Sequence, residues 1–320
     1  MNDLIIPGRG DLRITLTSAC NLKCSYCHNE GQRPPWERDP VRVTLDMIEN
    51  LIDKGHGYGA KSVKFTGGDP GSYSGIIPLL ETINNWRVKY PGITKWGIAT
   101  NGIPFIHVKK FEALAHSGLD NISIGVDAFG PRVLTKPSSP VGISGNSLLE
   151  RFINPLTSEW KPKGKFIKID TVFTGDKKRT GNVIDVALGL GLGVSVIEHN
   201  GIMGNKPKTR LGFNQFIAFT AKRLGLTARL YEPLNETYLY DNNGNVVIKF
   251  YQDHCADLDC ENCRKVHLRV IPIAEGWGSV PCFLQAQEKV ITLGKEVTNF
   301  EDAIKYNGKG PQWFKDTSYE

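Results

Sequence analysis

Three cysteines near the start of the chain, Cys20, Cys24 and Cys27, have the spacing that most directly suggests chemistry. They form the pattern C-x3-C-x2-C, and an aromatic residue, Tyr26, precedes the last of them. Three thiolates this close can hold an iron–sulfur cube and leave one iron open to a ligand. A tetrahedral zinc site with His28 as fourth ligand is less favourable, because ligands at adjacent positions suit one ion poorly. A disulfide or incidental thiols are the remaining interpretation.

The other four of the seven cysteines form a second group, after more than 220 residues without any: Cys255, Cys260, Cys263 and Cys282. A disulfide framework is not expected in a reducing compartment, so the two groups predict two metal sites. The second group is open to two interpretations. It could hold a second iron–sulfur cluster, or a structural zinc ion with four cysteine ligands.

Composition limits the class of protein. The 320 residues, 40% hydrophobic and 22% charged, are sufficient for one large or two ordinary globular domains. No apolar run of about 18 residues is present, and the first residues lack the pattern of a secretory signal, so a cytoplasmic location is the expectation. The net charge of +6 suits an anionic small molecule as well as nucleic acid and does not decide between them.

Strand-like and helix-like segments alternate between the two cysteine groups. Six segments have strand character: 12–17, 63–68, 95–102, 121–128, 166–173 and 193–199. Helical patterns cover 44–55, 76–90 and 108–118, with a weaker one at 182–190. This alternation predicts an α/β fold with a parallel sheet, and six units favour a partial (β/α)6 barrel of the TIM type over a closed eight-stranded one. A hairpin with Asn-Gly at its turn is expected at 240–250.

The predicted strands end in small and polar residues, in the segments TSAC, TGGD, TNG, VDA and EHN. In parallel α/β folds the carboxyl ends of the strands are where ligands bind. The cysteine loop and these strand ends together resemble the radical S-adenosylmethionine (SAM) superfamily. FTGGDP at 65–70 is similar to that family's GGE motif, with Asp69 in place of glutamate.

The resemblance implies that Cys20, Cys24 and Cys27 hold a [4Fe–4S] cluster whose open iron chelates SAM. Reductive cleavage of SAM would yield a 5′-deoxyadenosyl radical that abstracts hydrogen from a substrate, with an electron donor such as flavodoxin or ferredoxin. The resemblance assigns cofactor contacts to ten further residues: Tyr26, Thr66, Gly67, Gly68, Asp69, Thr100, Asn101, Ser123, Asp127 and Ser195. It implies a barrel over 1–225 and a C-terminal auxiliary-cluster region over 226–320.

Four segments narrow the resemblance: GRGDLRITLTSACNLKC (8–24), FIKIDTV (166–172), VSVIEHNGIMGN (194–205) and CENCRKVHLRVIPIAEGWGSVPC (260–282). Within the superfamily, they are similar to the GTP 3′,8-cyclases of molybdenum-cofactor biosynthesis. This similarity implies substrate contacts at Arg9, Lys168, His267 and Arg269, and an auxiliary [4Fe–4S] cluster on Cys260, Cys263, Cys282 and Cys255. The departures are that Ser195 and His267 stand where the cyclases have arginine, Cys255 is extra, and the chain lacks a C-terminal Gly-Gly. A relative with another substrate is therefore expected rather than the cyclase itself.

Several function classes remain open. The first is a radical enzyme acting on a small, anionic, nucleotide-like molecule. The second is a peptide-modifying radical enzyme with an auxiliary cluster, or one that modifies nucleosides or sugars in natural-product biosynthesis. A peptide-modifying enzyme typically has a peptide-docking module before the barrel. Only about ten residues precede the first strand here, which favours the small molecule. A non-enzymatic iron–sulfur carrier would not need the polar strand ends. Neither a membrane nor a nucleic-acid partner is expected.

Overall fold

The structure is a computed structural model, and it describes residues 10–22, 24, 26, 27, 39, 41–130, 144–199, 210–231, 236–252, 268–280 and 290–307. The chain divides into two compact units. Unit 1 takes residues 1–23, 27–122 and 261–320, and unit 2 takes residues 24–26 and 123–260. The chain passes from unit 1 to unit 2 within strand β4 (Asn121–Gly125). The domain boundary expected at residue 225 stays a prediction.

Unit 1 is a sheet with helices between its first strands. Its other elements are β1 (Asp11–Thr15), α1 (Leu45–Gly57), β2 (Ser62–Thr66), α2 (Ile76–Lys89), β3 (Lys95–Thr100), α3 (Val108–His116), β10 (Leu268–Ile273), β11 (Gly276–Val280), β12 (Ile291–Gly294) and α8 (Phe300–Asn307). The strand order in this unit is β12-β11-β10-β1-β2-β3. β10, β1, β2 and β3 pair in parallel, whereas β11 and β12 continue the sheet antiparallel.

Helix α1 shows how the sequence dictates these elements. Thr44 caps its N-terminus by accepting a hydrogen bond from the Met47 amide at 3.3 Å. Its buried positions are Ile48, Leu51, Ile52 and Gly55, the i, i+3, i+4, i+7 spacing of a helix with one apolar face. The helical period is therefore readable from the sequence, and the structure confirms the predicted helix.

Unit 2 contains the remaining strands of the sheet and the helices between them. The elements that follow β4 are α4 (Gly145–Leu148), a π-helical turn (Leu149–Ile153), α5 (Asn154–Trp160), β5 (Phe166–Phe173), α6 (Lys177–Gly189), β6 (Gly193–Glu198), α7 (Arg210–Leu224), β7 (Thr227–Tyr231), β8 (Glu236–Tyr240) and β9 (Val246–Tyr251). β5, β6 and β9 are parallel neighbours, and β8 and β7 extend the sheet antiparallel.

The two faces of the unit 2 sheet differ in character. One face packs on α7, where Phe173 stacks on Phe216 with ring centres 4.7 Å apart and Phe213 meets Phe250 edge-on at 5.8 Å. The other face carries charged, hydroxyl and phenol side chains, and it is called the polar face below. Its members are Lys168, Asp170, Ser195, Glu236, Tyr238, Lys249 and Tyr251.

All six predicted strands and the four predicted helical segments are present, and the α/β class with a parallel sheet is confirmed. The hairpin is confirmed too, with Gly244 at φ +81° and the Asp241 carboxylate accepting from the amides of Asn243 and Asn245. Among the described residues, α4, α5, α7, α8, β7 and the β10–β12 strands are elements that the sequence analysis did not identify. Among the described helices, none combines the length and the hydrophobicity that a membrane-spanning segment requires.

Candidate functional site

The end of β2 packs directly on the backbone that leads into the cysteine loop. The Gly68 amide donates to the Thr17 carbonyl at 2.7 Å, and the Asp69 amide donates to the Ala19 carbonyl at 2.8 Å. A Cβ atom on Gly68 would lie 2.2 Å from the Ser18 carbonyl oxygen, so a side chain cannot fit there. The absence of side chains at Gly67 and Gly68 therefore allows the end of β2 to contact the backbone at Thr17–Ala19.

The Asp69 carboxylate is fully buried in unit 1 and accepts hydrogen bonds from three residues. It accepts hydrogen bonds from the Gly71 amide at 2.8 Å, the Asn101 amide at 2.7 Å and the Thr100 hydroxyl at 2.9 Å. Burial raises the pKa of Asp69 to about 6, against the lowering effect of these bonds and of Lys110. The carboxylate thus ties the end of β2 to the end of β3. Its contacts fit a positioning role.

Asn101 lies beside the first cysteine of the loop. Its side-chain amide donates to the Asn21 side-chain oxygen at 2.9 Å and approaches the Cys20 sulfur at 3.8 Å. The Leu22 amide also donates to the Cys20 sulfur, at 3.3 Å. N–H groups aimed at a sulfur stabilise its thiolate form and tune the potential of a cluster bound to it. The environment of Cys20 therefore fits a ligating thiolate.

Tyr26 and the second cysteine belong to unit 2, where Asp127 holds the tyrosine. The Tyr26 hydroxyl donates a hydrogen bond to the Asp127 carboxylate, and Tyr26 also has a hydrogen bond with Cys24. Asp127 accepts from the Val172 amide at 3.1 Å and lies 3.7 Å from the Arg179 guanidinium. Burial is the largest cause that raises the pKa of Tyr26 well above its usual value, and the neighbouring Asp127 and Cys24 raise it further. The phenol therefore stays a hydrogen-bond donor.

His199 is a residue that the sequence analysis did not single out. It follows β6, its ring meets that of Tyr26 edge-on at 6.3 Å, and its Nε2 atom is buried with no hydrogen-bond partner among the described residues. A buried polar atom of this kind costs free energy unless a ligand or water satisfies it. Only its place at a strand end, in the segment EHN, indicated it in the sequence.

The remaining predicted cofactor residues lie where the strand pattern predicts them. Thr66 and Thr100 are the last residues of β2 and β3, Ser123 lies within β4, and Ser195 lies within β6. All four side chains are buried. The Ser195 hydroxyl has no hydrogen-bond partner within the described ranges. Their contacts with a cofactor stay predictions.

Two of the predicted substrate residues are described, one in each unit. Lys168 in unit 2 forms an ion pair with Asp170 at 2.9 Å. Arg269 in unit 1 is buried on β10, where it pairs in register with Arg13 of β1. The other predicted positions lie outside the described residues: Arg9, His28, Cys255, Cys260, Cys263, His267 and Cys282. The convergence of the substrate residues on one ligand stays a prediction.

The donor set of the cysteine loop suits an iron–sulfur cube better than a single ion. No group of three or more histidine, cysteine or acidic residues in the described ranges is arranged around one metal ion. A cube does not require such a group, because each thiolate binds a different iron. The N–H donors on Cys20 fit a thiolate that binds one iron of such a cluster.

Comparison with known proteins agrees with this geometry. Residues 14–143 match the model of the radical SAM superfamily. The matched segment contains Cys20, Cys24 and Cys27 as well as the β2, β3 and β4 ends described above.

The relatives that this chain matches include GTP 3′,8-cyclases. The cyclase of Mannheimia succiniciproducens is 31% identical over 121 residues, which is 38% of this chain and 34% of the relative. That of Alkaliphilus metalliredigens is 37% identical over 122 residues, 38% of this chain and 35% of the relative. The chain thus spans about a third of the length of these relatives.

The fold resembles a solved structure over almost all of its length. Streptococcus suis SuiB, crystallised with its precursor peptide SuiA, matches 94% of this chain and 65% of its own with a TM-score of 0.63 and 17% sequence identity. A further structure of SuiB contains SAM and matches with the same TM-score. At 17% identity, the similarity to SuiB concerns the fold alone.

Proposed function

We propose that the protein is a radical SAM enzyme, with a [4Fe–4S] cluster on Cys20, Cys24 and Cys27 and with SAM as its cofactors. The observation that carries the proposal is the packing of Gly67–Asp69 on the backbone of the cysteine loop within a matched radical SAM domain. When bound, the cluster and SAM supply a 5′-deoxyadenosyl radical for hydrogen abstraction.

In this scheme, the residues of the chain bind the cluster and SAM and hold the surrounding segments in position. Asn101 and the Leu22 amide stabilise the Cys20 thiolate. Asp69 fixes the ends of β2 and β3, so that the main chain at Gly67 and Gly68 is available to the methionine part of SAM. Asp127 holds Tyr26 beside Cys24. Ser195 and His199 present buried polar atoms that a bound cofactor or substrate would satisfy.

The substrate we propose is a small, phosphate-bearing, nucleotide-like molecule. The cyclase relatives and the positive net charge of +6 support this class, and Arg9, Lys168, His267 and Arg269 are the proposed contacts. A lysine serves as a point charge and an arginine as a planar fork for such oxyanions. A peptide, of the kind that SuiB binds, and a nucleoside or sugar are the alternative substrates that a binding experiment must separate.

The larger architecture is part of the proposal. The parallel pairing of β1, β2 and β3, and of β5 and β6, supports a partial (β/α)6 barrel as the radical SAM core. The second cysteine group would hold an auxiliary [4Fe–4S] cluster in a C-terminal region from residue 226. A reduced flavodoxin or ferredoxin would supply the electron, in the cytoplasm.

Anaerobic SAM cleavage tests the proposal. The protein, reconstituted with iron and sulfide and reduced with dithionite, should convert SAM to 5′-deoxyadenosine and methionine. Replacing Cys20, Cys24 and Cys27 with alanine should abolish the product, because the thiolates hold the cluster. Parent-level cleavage in that triple variant would refute the assignment of the three cysteines. Titration of the SAM-loaded protein with GTP, guanosine and a short peptide then separates the substrate classes.

A further inference from the structure

The β8–β9 hairpin contributes charged and phenol side chains to the polar face. β9 joins the sheet as the parallel neighbour of β6, with Lys249 opposite Ser195. β8 follows, with Tyr238 opposite Lys249 and Glu236 opposite Tyr251. Directly paired residues point to the same face of a sheet, so these side chains share the polar face with Lys168 and Asp170.

Two ammonium groups on this face lie over one aromatic ring. The Lys249 nitrogen is 4.4 Å from the centre of the Tyr251 ring, and the Lys168 nitrogen is 5.8 Å from it. Burial and the neighbouring Lys249 lower the pKa of Lys168, but Asp170 and Tyr251 raise it by more, so the net shift is upward. Both lysines are therefore charged near neutral pH, on a face where like charges are close enough to interact.

Each ammonium has a carboxylate partner that holds it in place. Lys168 pairs with Asp170 at 2.9 Å, and Lys249 pairs with Glu236 at 2.7 Å. Glu236 also accepts a hydrogen bond from the Tyr238 hydroxyl at 2.6 Å, and its side chain is only 4% exposed. The two lysine side chains are 20% and 22% exposed. Fixed ammonium groups with part of their surface accessible are pre-organised to receive an anion.

A separate observation indicates a ligand at the same place. Ser195 lies in register between Asp170 of β5 and Lys249 of β9. Its side chain has 0% exposure, and its hydroxyl has no hydrogen-bond partner within the part of the chain that the structure describes. A buried hydroxyl without a partner costs free energy, and a ligand oxygen that accepts its proton removes that cost.

We propose that Lys249 and Ser195, together with Lys168, form a subsite of the polar face that binds the phosphate group of the substrate. The inference deepens the proposed function, on which it rests. It adds Lys249, which no motif identified, and it assigns Ser195 to the phosphate rather than to SAM. Asp170 and Glu236 keep the ammonium groups in position before the phosphate binds. Both ammonium groups also contact the Tyr251 ring.

Anion binding to the anaerobic, cluster-loaded protein tests the subsite without any turnover. The probes are inorganic pyrophosphate, GTP, guanosine and SAM, measured by isothermal titration calorimetry. Replacing Lys249 alone would leave the buried Glu236 carboxylate unpaired and could unfold the protein. The informative variant is therefore the double replacement Glu236→Gln with Lys249→Met, with Ser195→Ala as an independent second variant.

We expect the double variant to weaken pyrophosphate and GTP binding by about tenfold or more, and Ser195→Ala by roughly threefold to tenfold. Guanosine, which has no phosphate, should be unaffected. The matched control is Glu49→Gln with Lys89→Met, because Lys89 pairs with Glu49 at 2.6 Å and lies 5.3 Å from the Tyr90 ring in unit 1. That control should bind all four probes within about twofold of the parent.

Three results would overturn the subsite. The first is a parent protein that binds neither pyrophosphate nor GTP. The second is unchanged pyrophosphate binding in the double variant, which would leave Lys249 and Glu236 a structural ion pair. The third is a loss confined to SAM, which would assign the face to the SAM carboxylate. Because no step requires SAM cleavage, failure of the proposed radical activity would be seen separately, in the assay for 5′-deoxyadenosine.

Discussion

The Tyr26 hydroxyl and the Asp127 carboxylate, 101 residues apart in the chain, are hydrogen-bonded within unit 2. Asp127 is held in turn by the Val172 amide and by Arg179. The aromatic residue of the cysteine motif is thus fixed by the segment that follows β4. A hydrogen bond to an ionised carboxylate contributes about 1.5–3 kcal/mol when partly buried.

Tyr26→Phe removes this hydrogen bond without a large change in volume. We expect a lower free energy of unfolding, by about 1.5–3 kcal/mol, and a protein that retains less iron after gel filtration, because the loop between Cys24 and Cys27 loses its anchor. Tyr58→Phe is the matched control, since Tyr58 donates to Glu301 at 2.7 Å away from the cysteine motif. It should lower stability without loss of iron. Full iron retention in Tyr26→Phe would contradict the anchoring role.

Gly68→Ala tests the backbone contact between β2 and the cysteine loop. The added Cβ would meet the Ser18 and Ala19 carbonyl oxygens at 2.2 and 2.5 Å, so the two segments must separate. We expect a loss of about 1–3 kcal/mol in the free energy of unfolding, together with weaker SAM binding. In Gly181→Ala on α6 the Cβ would meet no atom within 4 Å, and the change should raise stability by up to about 1 kcal/mol. Parent-level SAM affinity in Gly68→Ala would show that the contact does not shape the cofactor site.

The raised pKa of Asp69 gives a pH dependence with a defined sign. Its pKa is about 6 in the folded protein against an ordinary 3.8, so the folded state binds this proton more tightly. The contribution of Asp69 to stability is complete below about pH 4 and is lost as the pH rises through about 6, by about 3 kcal/mol in total.

Asp69→Asn removes the ionisation, so the difference in unfolding free energy between parent and variant should become smaller as the pH rises from about 4 to 7. Anaerobic denaturant unfolding at several pH values measures it. The offset between the two curves includes the poorer match between an amide group and the Asn101 N–H, which does not depend on pH. Curves that stay parallel would mean that Asp69 ionises with an ordinary pKa.

The second cysteine group predicts a definite metal content. With both clusters in place, the reconstituted protein should contain about eight irons per chain. Replacing Cys255, Cys260, Cys263 and Cys282 with alanine should lower the content to about four irons. About four irons and one zinc in the parent protein would establish a structural zinc site instead. Elemental analysis distinguishes the two.

The sequence predicted those parts of the fold that depend on local periodicity. Alternating residues in β5 and the helical spacing in α1 are visible without a structure, and so is the row of strand ends that contains Asp69 and Asn101. Lys249 and Glu236 could not be predicted, because their pairing depends on the register of the β8–β9 hairpin. His199 belongs to no sequence motif that would indicate a role at the site. The burial of its Nε2 atom next to Tyr26 becomes evident only in the folded chain.

The parallel pairing of β10 with β1 has a consequence for the order of events during synthesis. Leu12 pairs with Leu268, more than 250 residues later, so β1 acquires this neighbour only when most of the chain has left the ribosome. At roughly 5–20 residues per second that delay is on the order of ten seconds or more, during which the edge of β1 is open to a foreign strand. Unit 2, nearly all of it contiguous at 123–260, is synthesised within that interval. A chain interrupted before residue 268 would therefore have an incomplete unit 1, and aggregation through β1 is the expected fate of that nascent chain.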